Sequence, residues 1–311
     1  MSESSRLNQI FACPVHKTIL DAKWFCVDCG KPFLVAKGTP ILLNEKKSVF
    51  RVDDYLSSDG YDGASGYAGS LDHRKGIRQV YRRLVAHLGR LNPPCRSFSP
   101  RRAVAEIKSS IPDARILVVG AGDTELPGDV IYTDVAFGAR VQCIADAHDL
   151  PFLDGVFDAC IVVAVLEHVV DPYRCVQEIQ RVLTSGGFVY AETPFMQPVH
   201  MGAHDFTRFT FLGHRRLFRW FEQISAGVVG GPGISVAQLA RYAIASMSDQ
   251  PVPRKWLKLL ALFLTYPLRW LDHLSDQKLS SYDSASGFYF FGRLSSSPLG
   301  DRELLGLHRG L

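Results

Sequence analysis

Residues 114–135 read ARILVVGAGDTELPGDVIYTDV. The first nine, ARILVVGAG, form a short continuous apolar run ending in glycine, the pattern of a central parallel strand buried on both faces. VIYTDV reads as a second strand that closes on Asp134. Only residues 123–129, Pro127 and Gly128 among them, join the two. A crossover with its helix needs about a dozen residues, so no full helix is expected there. Working downstream, FDACIVVAVLEHV from Phe157 is a third buried run, and YRCVQEIQRVL (173–183) is a helix. Gly186-Gly187 is a turn, FVYAETP (188–194) a fourth strand, and GFYFFGRL (287–294) another. Strands alternating with helices predict an α/β fold: a Rossmann-like, doubly wound, mostly parallel sheet whose C-terminal strand is antiparallel.

Upstream of that run the composition changes twice. IRQVYRRLVAHL, after Gly76, sets Ile77, Val80, Tyr81, Leu84, Val85 and Leu88 at helical spacing, and a second helix is expected over 101–110. Residues 44–75 contain SSDGYDGASGYAGS, the composition of a linker or mobile loop. The expected organisation is a small module over 1–45, a linker over 46–75, and a main domain over 76–311 with a helical, partly hydrophobic insertion at about 231–286.

With 47% hydrophobic and 21% charged residues, the chain has the balance of an ordinary globular protein. The first nine residues are polar, unlike a secretory signal, so seven cysteines point to a reducing compartment and the cytoplasm is expected. The net charge of +4 is mild but uneven: no Asp or Glu lies between 73 and 105, where Arg74, Lys75, Arg78, Arg82, Arg83, Arg90, Arg96, Arg101 and Arg102 fall. That run suits an anionic partner or, equally, a solvated helix face.

Four residues near the start suit a metal. Cys13-Pro-Val-His16 and Cys26-Val-Asp-Cys29 each leave two residues between ligands, and nine residues separate the pairs. Such spacing lets four N/S ligands close a tetrahedral zinc shell, and a segment this short needs a metal to hold it. A closed four-ligand site is structural. The alternative is a set of reduced, metal-free cysteines.

In a doubly wound sheet the ligand lies outside the carboxyl ends of the strands. Gly120 and Gly122 close the first strand, where absent side chains let a cofactor approach. Asp134 ends the second, where a carboxylate can accept hydrogen bonds from both ribose hydroxyls. Asp146, in ADAHDLPF, begins the loop after the strand expected next beyond Asp134 and could take an adenine amino group, with Leu150 or Phe152 packing on the ring.

The ordered set of GAG, an acid 12 residues after Gly122, DAHDLPF and FDACIVVAVLEHVVDP resembles the class I S-adenosylmethionine-dependent methyltransferases, particularly the group related to methyltransferase type 11. The resemblance runs from about 114 to 225. It implies that Gly120 and Gly122 face the methionine part of the cofactor, Asp134 the ribose, and Asp146 and Ala147 the adenine. It also implies that Glu167 and His168 line the floor beneath the methyl group. Val119 stands where the family usually has an acid, and Glu125 where a third glycine is expected. The segment ending in GTPILL resembles the short zinc-ribbon (Trm112-like) module found ahead of some methyltransferases, with His16 where the usual pattern has Cys.

Methyl transfer from a sulfonium mainly requires an acceptor positioned in line, sometimes with a base. ETPFMQPVHMGAHDFTRFT follows the fourth strand and offers His200, His204, Asp205 and Arg208. His204 is the preferred base, Asp205 orients it or holds substrate, and Arg208 reads an anionic group. A polar substrate loop without proton transfer is the alternative. His200 and His204 also have a spacing that could hold a metal, although the sequence shows no further ligand beside them.

PVPRKWLKLLALFLTYPLRWLDHL (251–274) holds a short apolar stretch between basic residues and tryptophans. It is too short to span a bilayer and suits either an interfacial helix or one packed on the sheet or a second subunit. Three functions follow: a methyltransferase for a small-molecule, glycan or lipid-linked acceptor, with possible peripheral membrane contact; a ribosomal-RNA methyltransferase; or a non-catalytic protein with a degenerate cofactor site. The mild charge makes nucleic acid the weaker partner.

Overall fold

The computed structural model describes residues 10–56, 98–122, 124–128, 130–275 and 278–311. The helix expected after Gly76, the linker residues 57–75 and the arginine run up to Arg96 lie outside these residues. Two small antiparallel ribbons come first: β1 (Phe25–Cys26) with β2 (Lys31–Pro32), and β3 (Val35–Ala36) with β4 (Thr39–Pro40). A seven-stranded sheet follows, made of β5 (Ile116–Val119), β6 (Val130–Asp134), β7 (Cys143–Ile144), β8 (Phe157–Val163), β9 (Leu183–Pro194), β10 (Phe221–Val228) and β11 (Gly287–Leu294). Its order is β10-β11-β9-β8-β5-β6-β7. β11 is antiparallel to both β10 and β9, and the pairs from β9 to β7 are parallel.

The apolar run around β5 decides this architecture because both of its faces are covered. Leu117 and Val119 face one core and Ile116 and Val118 the other, as a two-residue side-chain period requires. Each such buried side chain stabilises the fold by about 1.5–3 kcal/mol. On the first face lies the helix Pro172–Val182. Asp171 caps it by accepting from Arg174 N at 3.1 Å, Pro172 occupies its first turn, and Cys175, Val176, Ile179 and Val182 are its buried stripe. On the second face lies the helix Pro100–Ser110, which buries Ala103, Val104 and Ile107. The β5–β6 connection carries no helix, in keeping with its length.

The N-terminal ribbons are docked on the open edge of the sheet. Ile41 bridges Ile144 in parallel, Leu42 N donates to Ile144 O at 2.9 Å, and Phe11 bridges Phe152. Lys17 Nζ reaches Glu178 at 3.0 Å and Leu150 O at 3.1 Å. Residues 44–56, which composition places in a linker, are packed on the main sheet instead. Tyr55 is buried and its hydroxyl donates to Val135 O at 2.7 Å.

Between β10 and β11 the chain forms the helices Pro232–Ala245 and Pro251–Thr265 and several short turns. Buried Asp272 ties them down, accepting from Gly231 N at 2.9 Å and Gly233 N at 2.7 Å. Pro251–Thr265 buries only Ala261 and Thr265. Val252, Trp256, Leu260, Phe263 and Leu264 form an exposed stripe along it, with Trp270 beyond. The sequence left core packing and an interfacial position open for this strip; within the single chain most of it faces outward. Among the described residues no helix is long and apolar enough to cross a membrane.

Candidate functional site

The strand order reverses between β5 and β8: the chain proceeds outward through β6 and β7 on one side and through β9 on the other. A crevice opens at the carboxyl ends there. Val119, Gly120, Asp134, Val135, Ala145, Asp146, Ala147, His148 and His168 line it, with Val49, Phe50, His204 and Phe206 above.

Gly120 adopts φ +68°, and a Cβ there would lie 2.2 Å from Val165 Cγ2, so glycine is required at this turn. Two loops hold Asp134: Gly122 N, after β5, donates to Oδ2 at 2.8 Å, and Ala136 N, just beyond β6, donates to Oδ1 at 2.9 Å. Burial raises its pKa, while these backbone donors pull it down. Each oxygen keeps a lone pair for a ligand hydroxyl.

Asp146 is almost fully buried. Burial pushes its carboxyl up, but hydrogen bonds from His148 and Ser48 outweigh that and leave it below the usual value. His148 Nδ1 lies 2.6 Å from Oδ1, and its Nε2 accepts from Asp171 N at 3.1 Å, which fixes the tautomer. Ser48 Oγ donates to the other oxygen at 2.5 Å, and the Phe50 ring stacks on His204 at 5.9 Å. His148, Ser48 and Phe50 were not singled out in the sequence. His148 sits inside DAHDLPF, but nothing local marks Ser48 or Phe50, whose partners lie about a hundred or more residues away.

Two expectations change here. Leu150 and Phe152 do not line the crevice: both are fully buried, Phe152 against Phe11 and Phe157 at 5.2 and 4.9 Å, because the docked ribbon covers that side. Nor does Asp205 orient His204. It accepts from Arg208, with one contact at 2.6 Å, and from His200 N at 2.6 Å. Arg208 is spent on Asp205 and on the carbonyls of Gln197, Pro198 and Thr207, which leaves its charge compensated. Left-handed Met201 (φ +63°) reverses the loop and brings His200, rather than His204, beside Asp205.

Glu167 is fully buried, and burial pushes its carboxyl up to about 8. The neighbouring His168 is pushed down, chiefly by burial. The carbonyl of Glu167 accepts from Phe206 N and Thr207 N at 2.8 and 3.2 Å, which joins the loop after β8 to the loop after β9. His168 Nδ1 donates to His204 O at 2.6 Å.

In the docked N-terminal segment, Cys13, His16, Cys26 and Cys29 converge, with their ligand atoms within 4.8 Å of one another. Cys13 and Cys29 Sγ are 3.6 Å apart, and His16 Nδ1 lies 3.7 Å from Cys13, 3.7 Å from Cys26 and 3.3 Å from Cys29. Ligands about 2.0–2.3 Å from a tetrahedral zinc stand about 3.3–3.8 Å apart, so the donor set fits that ion.

A mostly parallel sheet with its crevice at the switch point defines the Rossmann-like class. Residues 131–191 match a family model described as a methyltransferase domain. No curated protein matches the chain. Solved structures similar to it include the cyclase SpnF (17% identity, 74% of this chain and 86% of that one, TM-score 0.37). Phosphoethanolamine N-methyltransferase 2 of Haemonchus contortus with S-adenosyl-L-methionine is another (14%, 64% and 53%, TM-score 0.39). A third is the YcgJ protein of Bacillus subtilis (15%, 63% and 98%, TM-score 0.35).

Proposed function

We propose that this chain is an S-adenosylmethionine-dependent methyltransferase whose acceptor is a small molecule, a glycan or a lipid-linked sugar. The observation that carries this reading is the pair Asp134 and Asp146 at adjacent strand ends beside Gly120, within or next to the matched 131–191 segment. Asp134 takes the ribose hydroxyls on its free lone pairs, Asp146 and Ala147 take the adenine, and the Gly120–Gly122 turn lets the methionine end approach. S-adenosylmethionine supplies a methyl group already activated by its sulfonium, so position is the main requirement of the chain. His204, at the mouth of the crevice, receives the proton of a hydroxyl or amine acceptor. The crevice encloses about 90 Å³, well below the several hundred that ligand pockets usually hold. The 48–50 segment therefore swings off Asp146 and His204 when the nucleoside enters. Cys13, His16, Cys26 and Cys29 hold a structural zinc.

The exposed stripe of Pro251–Thr265 favours an acceptor at a membrane surface. Arg254, Lys255 and Lys258 are exposed beside Trp256, the flanks of an interfacial helix.

Two measurements test the reading. Asp134→Ala should weaken S-adenosylhomocysteine binding about 10–100-fold by calorimetry, as expected for losing hydrogen bonds to a charged group. Labelled methyl transfer into a fractionated host lysate should mark a lipid, sugar or small-molecule fraction. Label in RNA alone would turn the assignment to a ribosomal-RNA enzyme, and absent cofactor binding would reject methyl transfer altogether.

A further inference from the structure

Glu167, His168 and His200 come together beside the crevice, with no hydrogen bond among the three. Neither carboxylate oxygen of Glu167 has a hydrogen-bond partner, although the side chain is fully buried. His168 Nε2 lies 3.6 Å and His200 Nε2 3.9 Å from Glu167 Oε1, both too far for a hydrogen bond. The other nitrogen of each ring is engaged elsewhere. His168 Nδ1 donates to His204 O at 2.6 Å, and His200 Nδ1 faces Pro198 O at 3.3 Å and Asp205 Oδ2 at 3.5 Å. His168 Nδ1 therefore carries the proton, and its Nε2 lone pair turns toward Glu167; Arg208 Nη2 also lies 3.4 Å from His200 Nδ1, and in either tautomer His200 Nε2 faces Glu167. A backbone carbonyl or carboxylate on the far nitrogen is the support that metal-binding histidines receive. The two rings stand at 89° with centroids 4.7 Å apart, so they approach a common point from different directions.

We propose that Glu167, His168 and His200 bind a divalent transition-metal ion. Their ligand atoms already lie within 4.8 Å of one another, and ligands about 2.1 Å from a shared ion stand about 3–3.5 Å apart. Side-chain shifts of about 1 Å close the shell. Two imidazoles and one carboxylate suit Mn²⁺, Fe²⁺, Co²⁺ or Zn²⁺ rather than the all-oxygen preference of Mg²⁺ or Ca²⁺. Arg208 stands nearby, but the Asp205 carboxylate neutralises it, so its charge does not oppose a cation at Glu167. Three protein ligands leave coordination positions open, as in catalytic metal sites. His168, His204 and Phe206 line the crevice on that side. The open positions take an oxygen of the bound acceptor: a hydroxyl, a vicinal diol or a carboxylate. This last assignment rests on the methyltransferase reading; the ion site itself does not.

Equilibrium dialysis of the full chain against Mn²⁺, Fe²⁺, Co²⁺ and Zn²⁺ in turn, with metal content measured by mass spectrometry, tests the site. The readout is the difference between wild type and two variants, so an ion at the Cys13–Cys29 cluster cancels. Wild type should hold one more ion than His200→Ala and Glu167→Gln. Affinity in the variants should fall by at least the about 10–100-fold that losing even a supporting partner costs. His200 is half-buried on a loop, and Glu167→Gln keeps the side-chain volume, so far-ultraviolet dichroism should match wild type for at least one of them. Equal ion content in wild type and a folded variant, for all four metals, overturns the proposal. Calorimetry with S-adenosylhomocysteine on the same samples separates the readings. Cofactor binding without the extra ion removes the metal site alone, and the extra ion without cofactor binding removes the methyltransferase assignment alone.

Discussion

At the scale of single residues, Gly120 is a position where the backbone itself shapes the crevice. Its φ of +68° and the 2.2 Å approach that a Cβ would make to Val165 leave no room for a side chain. Alanine there strains the turn by about 1–3 kcal/mol and pushes the 120–122 loop away from Asp134. Gly120→Ala should weaken S-adenosylhomocysteine binding at least tenfold while the sheet keeps its dichroism; unchanged affinity would separate this turn from the cofactor. Asp134 and Asp146 could be found in the sequence because each follows a strand, and strand ends are where such sheets bind ligands. Asp205 could not be paired correctly. Its partner depends on one left-handed residue, Met201, and an apolar pattern carries no record of a loop's handedness.

Among the elements, the helix Pro172–Val182 links the main sheet to the N-terminal ribbons through one carboxylate. Glu178 accepts from Arg181 at 2.7 and 2.8 Å and from Lys17 at 3.0 Å. Burial alone would raise its pKa, but Arg181 and Lys17 outweigh burial and hold it below the usual value. A lowered folded-state pKa gives stability that is complete above the unfolded carboxylate value of about 4.3 and is lost as pH falls through the lower folded value. Glu178→Gln should therefore cost about 1–3 kcal/mol at pH 7, and its deficit against wild type should shrink below about pH 4. Thermal melts across that range check the sign; a deficit that stays constant down to pH 3 would mean the charge contributes nothing. The same scale separates what the sequence discloses from what it hides. β5, β6, β8, β9 and β11 are apolar enough on their own to be read as strands. β10 was not read, because FEQISAGV alternates poorly and is mostly half-exposed; its pairing with β11, whose first residue is about 60 positions further on, makes it a strand. The packing of 44–56 was equally hidden, since Phe50 and Tyr55 are single anchors in polar surroundings.

At the scale of the whole molecule, an apolar stripe from Val252 to Trp270 stands exposed among the described residues. Trp256 is 65% and Phe263 59% exposed, so serine at both should change stability by no more than about 0.5 kcal/mol per site. If the stripe lies in a membrane surface, each side chain contributes about 1.5–3 kcal/mol on entering it. The double variant should then lose at least a hundredfold in sedimentation with vesicles containing phosphatidylglycerol. Equal sedimentation of wild type and variant would place the stripe elsewhere.

The parallel bridge between Ile41 and Ile144 also bears on how the chain comes to be folded. The ribbons leave the ribosome before the sheet does, and the strand they must pair with is made about a hundred residues later. Until β7 appears they wait with Ile41 and Leu42 uncovered, and a metal at Cys13, His16, Cys26 and Cys29 would hold them in shape meanwhile. Without it the newly made sheet would present an unpaired edge, and an unpaired edge recruits strands from other chains. Shortage of the ion would thus show first as aggregation during synthesis, before any change in protein already folded.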